Sequence, residues 1–157
     1  MRLVIYKIPE REKVLYNLGQ LLEKLCQQKR IGVFCNKEAI KIVDDILWTF
    51  STNIFLPHDI ATDDVEYNDR QPVLLDYDLK NLNREILCLF NDNDLQKALE
   101  NRTTLNKVDC IIYMVQIKNK AETGLLTCYD LIKKMNIEHV DVFAKNNNKW
   151  EKVDDNC

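Results

Sequence analysis

The sequence predicts an α/β domain: three layers, with a mostly parallel mixed sheet flanked by helices. Three observations carry that reading. Apolar runs of strand length alternate with helical patterns along the whole chain. The first two strand candidates, joined by a helix, make a βαβ unit that is expected to be parallel. The helix candidates show apolar residues at three- and four-residue spacing, the mark of one buried stripe.

Taken in order, residues 2–8 form the first strand, and Pro9 opens a helix over about 11–28. Its stripe is Val14, Leu15, Leu18, Leu21, Leu22 and Leu25. Residues 31–35 are a second buried strand. Asn36 is the N-cap of the next helix, whose inner residues are Ala39, Ile40, Val43, Ile46 and Leu47 and which runs to about Trp48. These two strands and the first helix make a βαβ unit, parallel and right-handed by the usual rule. A short strand is expected at 53–56, ended by Pro57, and a loop at 62–71. Strands follow at 72–77 and 85–90, with a polar turn from Asp78 to Arg84 between them. Asn91 or Asp92 caps a short helix to about Asn101. A strand at 108–116, a helix at 121–136 and a strand at 139–144 complete the pattern. Asn146-Asn147-Asn148 reads as compositional bias, and Trp150 stands near the end.

At 157 residues, one domain spanning 1–157 is the expectation. A 46% hydrophobic and 30% charged composition is that of a soluble globule, and no apolar run approaches a membrane span. The N-terminal apolar run is too short for a signal peptide, which points to a cytoplasmic protein. Cys26, Cys35, Cys88, Cys110 and Cys128 lie inside apolar segments and Cys157 is terminal; no pair has zinc or redox-dithiol spacing, so they read as free thiols in a reducing compartment. Net charge is −3, against a dedicated nucleic-acid binder. The charge is uneven. Residues 59–78 hold seven acids (Asp59, Asp63, Asp64, Glu66, Asp69, Asp76, Asp78) against Arg70, a balance of −6, whereas 97–134 carry +3. A basic half on an acidic protein suits an acidic peptide tail; two solvated faces of opposite sign fit equally well.

Catalytic machinery is hard to find. Gly19, Gly32 and Gly124 are the only glycines, and none lies in the first strand-to-helix turn, Ile8-Pro9-Glu10-Arg11-Glu12. That turn carries carboxylates where a phosphate loop needs bare N–H groups, so the fold reads as Rossmann-like without a nucleotide site. Ser51, the only serine, has no elbow motif, and no cysteine lies near a histidine. His58-Asp59 with Asp63-Asp64 lacks the spacing of a metal loop, and His58 is expected to bond locally and fix the turn after Pro57. No catalytic, metal or cofactor residue is assigned. Trp48 and Phe55 remain as core plugs or interface anchors.

The run from Leu47-Trp48 to Phe55-Leu56-Pro57-His58-Asp59-Ile60-Ala61 resembles a segment of the chi subunit of bacterial DNA polymerase III, where a helix ending in Leu-Trp leads to Ser-Phe-x-Pro-His-Asn. Arg30-Ile31-Gly32-Val33-Phe34-Cys35, Gln71-Pro72-Val73-Leu74-Leu75, Arg84-Glu85-Ile86-Leu87-Cys88-Leu89 and Val108-Asp109-Cys110-Ile111 resemble further segments of that family in the same order, together covering about residues 1–112. The resemblance implies a non-catalytic accessory subunit without cofactor. Such a subunit links the clamp loader, through a psi-type subunit, to the acidic, Phe-ending tail of single-stranded-DNA-binding protein. DNA is then reached only indirectly and no membrane is involved. By position it assigns Trp48, Phe55 and Pro57 to the psi-facing surface. For the tail it assigns Tyr129, Lys133 and Lys134, with Ile111 and Met135 as an apolar floor. Here the chain departs from the family, whose helix is rich in arginine as well as lysine, and lysine lacks the bidentate carboxylate contact of arginine. The competing readings are a nucleotide-dependent transferase on a Rossmann-like fold, or an adaptor for a repair helicase using the same aromatic surface.

Overall fold

A computed structural model describes residues 1–117 and 123–154, the side chains of 123–127 excepted. Its strands are β1 (Arg2–Ile8), β2 (Ile31–Phe34), β3 (His58–Ile60), β4 (Val73–Asp76), β5 (Ile86–Leu89), β6 (Cys110–Gln116), β7 (Val140–Asn146) and β8 (Lys149–Val153). They form one sheet in the order β3-β4-β2-β5-β6-β1-β7-β8. Every pairing is parallel except β7 with β8. The helices are α1 (Val14–Leu25), α2 (Ile40–Thr49), α3 (Val65–Arg70), α4 (Asp92–Glu100) and α5 (Thr123–Met135). β1 and β2 are parallel as the βαβ reading requires, with β5 and β6 inserted between them.

Alternation along the strands divides the core in two. Val4, Ile31, Val33, Val73, Leu75 and Ile112 meet Leu18 and Leu22 of α1 and Val43 and Leu47 of α2 on one face. Leu3, Ile5, Leu74, Leu87, Ile111 and Tyr113 meet Leu95 and Leu99 of α4 and Cys128 and Ile132 of α5 on the other. The architecture is the expected three-layer α/β fold. Gly19 has a packing reason: a Cβ there would stand 2.7 Å from Cγ of Phe50, so glycine lets the α2 terminus close onto α1.

Four elements differ from the expectation. α2 begins only at Ile40 with Ala39 as N-cap, Asn36 Oδ1 instead accepting from Ala39 N at 2.8 Å in the turn before it. Residues 53–56 form no strand; pairing begins only after Pro57, where His58–Ile60 lies against β4. The stretch read as a loop at 62–71 contains α3, capped by Asp64 accepting from Tyr67 N at 3.1 Å. The buried guanidinium of Arg84 holds it down, donating to Asn68 O and to Gln71 O. The asparagine run is turn chemistry rather than mere bias. Asn147 and Asn148 take φ of 48° and 62°, as a two-residue hairpin turn requires, and β8 follows carrying Trp150. Asn136, at φ 52°, likewise ends α5, with Ile137 N donating to Ile132 O at 3.2 Å.

Candidate protein-binding surfaces

The end of α2 and the segment leading into β3 build an aromatic ledge. Trp48 sits on the last turn of α2, on the flank away from α1, and is 51% exposed; Phe55 is 72% exposed. Their ring centroids are 5.7 Å apart. Neither is a core plug. Leu56, the next residue, is buried instead, and half-buried Pro57 leads the chain into the sheet. Beneath Trp48 lies the buried ring of His58, with centroids 4.5 Å apart. His58 Nδ1 donates to Leu56 O at 2.7 Å, and Nε2 stands 3.3 Å from Asp44 Oδ1, out of line for a hydrogen bond. His58 thus fixes the turn after Pro57, as the sequence suggested, and ties the ledge to α2. Exposed Ile54 extends it. Covering both rings would remove on the order of 250 Å² from water, about 6 kcal/mol before the cost of association.

The acids next to the ledge serve separate ends. His58 and Asp59 point to opposite faces of the sheet and cannot converge on one ion. Asp59 Oδ2 accepts from Tyr67 OH, and its Oδ1 accepts from Ile60 N at 2.8 Å. Because Ala61 N is directed at Leu75 O on β4, the Ile60 amide lies on the free side of β3, so Asp59 occupies the donor a further strand would need. Glu66 and Asp69 are exposed along α3, and Asp63 is exposed just before its cap.

At the opposite side of the sheet, Lys133 and Lys134 are exposed at the end of α5, while Tyr129 and Met135 are half-buried. Consecutive helical residues stand about 100° apart, so Lys133 shares a flank with Tyr129 four residues earlier and Lys134 does not. Ile111 is fully buried in β6 and supports the α4–α5 layer from beneath rather than facing solvent. Arg102 is the residue sequence reasoning passed over. Leaving α4, it donates from Nη1 to Met135 O at 2.5 Å and sets a guanidinium at the C-terminus of α5. The only sequence signal for it was its membership of the basic half; Lys118 and Lys120 of that half, and the first residues of the helix expected at 121–136, lie outside the described residues, as does Cys157.

The β1–α1 turn, where a related nucleotide fold cradles phosphate, is braced otherwise. Gln116 Nε2 donates to Glu12 O at 2.8 Å, and Lys145 Nζ meets Glu12 Oε1 at 2.7 Å. A cleft of about 580 Å³ opens beside it between α1 and α2, its rim carrying Glu10 and Glu12 against Arg11 and Lys13, and no glycine lines it to bring bare N–H groups to a phosphate. The thiols are equally unsuited to nucleophilic work: burial pushes Cys35 up to about 12 and raises Cys88 further.

The chain is a doubly wound α/β module with an aromatic ledge beside its β3 edge and a basic helix end in the α4–α5 layer on the opposite face. The family model for the DNA polymerase III chi subunit, HolC, matches residues 1–138, and the chain belongs to that family. A search of curated proteins found no relative that matches it. Membership makes the protein an accessory subunit of DNA polymerase III, at work in DNA replication. The β7–β8 hairpin lies wholly beyond the matched stretch. Among the described residues no helix is long and apolar enough to cross a membrane.

Proposed function

We propose that this protein, as one non-catalytic domain in the bacterial cytoplasm, joins a psi-type clamp-loader subunit to the C-terminal tail of single-stranded-DNA-binding protein. The psi-type partner covers Trp48, Phe55 and Pro57. The tail lies along the end of α5, its carboxylates on Lys133, Lys134 and Arg102 and its terminal Phe beside Tyr129 and Met135, with Ile111 buried underneath. The observation that carries the reading is the pair of exposed rings, Trp48 seated on buried His58 and Phe55 beside Trp48. Two large aromatics held in water by a built support are interface anchors by type and position. Arg102 supports the tail site by restoring, from α4, the planar cation that α5 lacks.

Fluorescence anisotropy with a labelled tail peptide tests the second half. Contacts of this kind give micromolar affinity, about −8 kcal/mol, weakening with salt. The changes Lys133→Glu and Arg102→Glu should each weaken binding at least roughly tenfold. Unchanged affinity in both would move the tail elsewhere. Co-purification of a co-expressed psi-type subunit, lost on Phe55→Ala, tests the first half.

A further inference from the structure

We infer that the ledge is built for a cationic amphipathic segment of its partner, one whose apolar side chains cover Trp48 and Phe55 while its lysines and arginines meet the acids around β3. The inference rests on the ledge being a docking surface and adds the chemistry of what docks. Among the described residues, large exposed apolar side chains concentrate in one stretch: Ile42, Trp48, Ile54, Phe55, Val65 and Tyr77 against only Met1 and Tyr16 elsewhere. The same stretch is the acidic one. Residues 37–78 hold ten carboxylates against Lys37, Lys41 and Arg70, a balance of −7 in a chain of −3, which leaves +4 for all the rest.

The three cations are already engaged. Lys41 pairs with Asp45 at 3.2 Å, Arg70 with Glu66 at 3.5 Å, and Lys37 lies 5.7 Å from the centre of the Tyr77 ring. α3 folds back beside the sheet edge, tied by Tyr67 on Asp59 and by Asn68 on Thr62, which brings exposed Glu66 and Asp69 back beside β3. β3 is only three residues long, so exposed Asp63 follows Phe55 by eight residues of chain and the acidic stretch opens directly beyond the rings.

These features exclude the other occupants. A second copy docked by the same patch would set acid against acid, and nucleic acid would bring phosphate to carboxylate. An added strand meets the Ile60 amide already taken by Asp59. A segment docking through side chains, apolar on one side and basic on the other, is left.

Two synthetic helical peptides of about five turns provide the probe, with the same Leu/Trp face and either lysine or glutamate on the polar face. Calorimetry is run at about 0.05 M and 0.3 M salt. The lysine peptide should bind at least about tenfold tighter than the glutamate peptide and weaken with salt. Phe55→Ala should remove its binding. The pair Asp63→Lys, Glu66→Lys should weaken it roughly tenfold, whereas Glu100→Lys on α4 should change nothing. Unaltered melting curves establish that the variants fold. No binding of the lysine peptide, equal binding of the two, or indifference to the charge reversals overturns the inference. A psi-type subunit that binds through Phe55 yet ignores salt and the reversals would sink the inference alone. A lysine peptide that binds while the psi-type subunit does not would sink the proposed function alone.

Discussion

Replacing Phe55 with alanine separates an interface anchor from a core residue, because the two roles predict opposite pairs of results. Phe55 is 72% exposed, so folding hides about a quarter of its surface. With a phenylalanine area of about 200 Å², that is roughly 55 Å², or about 1.4 kcal/mol at ~25 cal/mol per Å². The unfolded chain hides part of this area too, so the true loss is nearer 1 kcal/mol. For a domain of this size that lowers the melting temperature by about 2–4 °C. A core phenylalanine would cost about 3–5 kcal/mol and three or more times that shift. Binding behaves in reverse: a central aromatic anchor costs about 2–4 kcal/mol on truncation, a loss of roughly 30- to 1,000-fold. Differential scanning fluorimetry and calorimetric titration of a psi-type subunit read the two quantities on one sample. A fall of more than about 10 °C with affinity unchanged would refute the interface argument.

Other elements make independent predictions. Gly19→Ala should destabilise the protein despite alanine's advantage of about 1 kcal/mol in a helix, since the new Cβ meets the Phe50 ring root at 2.7 Å; a raised denaturation midpoint would show that α1 and α2 can separate cheaply. Native thiol titration near neutral pH should leave Cys35, Cys88 and Cys128 unmodified until denaturant is added, because they are buried and burial holds Cys35 and Cys88 protonated; mass spectrometry of the labelled peptides checks this. Lys29 bonded to Glu85, and Lys152 bonded to Asp141, hold both carboxyls below their usual range. Carboxyls with depressed folded-state pKa values stabilise above the unfolded value and lose that contribution as pH falls through the folded one. Acid unfolding below about pH 4 should therefore be shallower in Glu85→Gln, Asp141→Asn than in the parent, and only slightly so because both pairs are solvent-exposed.

Much of the architecture was legible because parallel strands buried on both faces must be continuously apolar. β1, β2, β4, β5 and β6 all announce themselves in that way. What escaped depends on partners distant in sequence. α3 has one apolar residue, Val65, and that residue is exposed; its stability comes from the Asp64 cap and from Arg84, sixteen residues beyond Asn68. β8 is a charged edge strand paired on one side only, so its pattern is that of a polar tail. β3 slipped past Pro57 because the apolar segment before it turns Phe55 outward rather than pairing. Both surfaces show the same division. Trp48 and Phe55 were readable as residue types with a resemblance behind them, whereas the support of Trp48 by His58 appears only in three dimensions. Arg102 reaches Met135 across thirty-three residues, and no local pattern announces it.

The central claim is that one small α/β chain holds two protein partners at once, on surfaces at opposite sides of its sheet. Light scattering on a size-exclusion column, loaded with this protein, a psi-type subunit and single-stranded-DNA-binding protein, measures that directly. The account predicts a single species containing all three, losing the psi-type subunit alone on Phe55→Ala and losing single-stranded-DNA-binding protein alone when its Phe-ending tail is removed. Two partners that displace one another, or a ternary species indifferent to both changes, would contradict it.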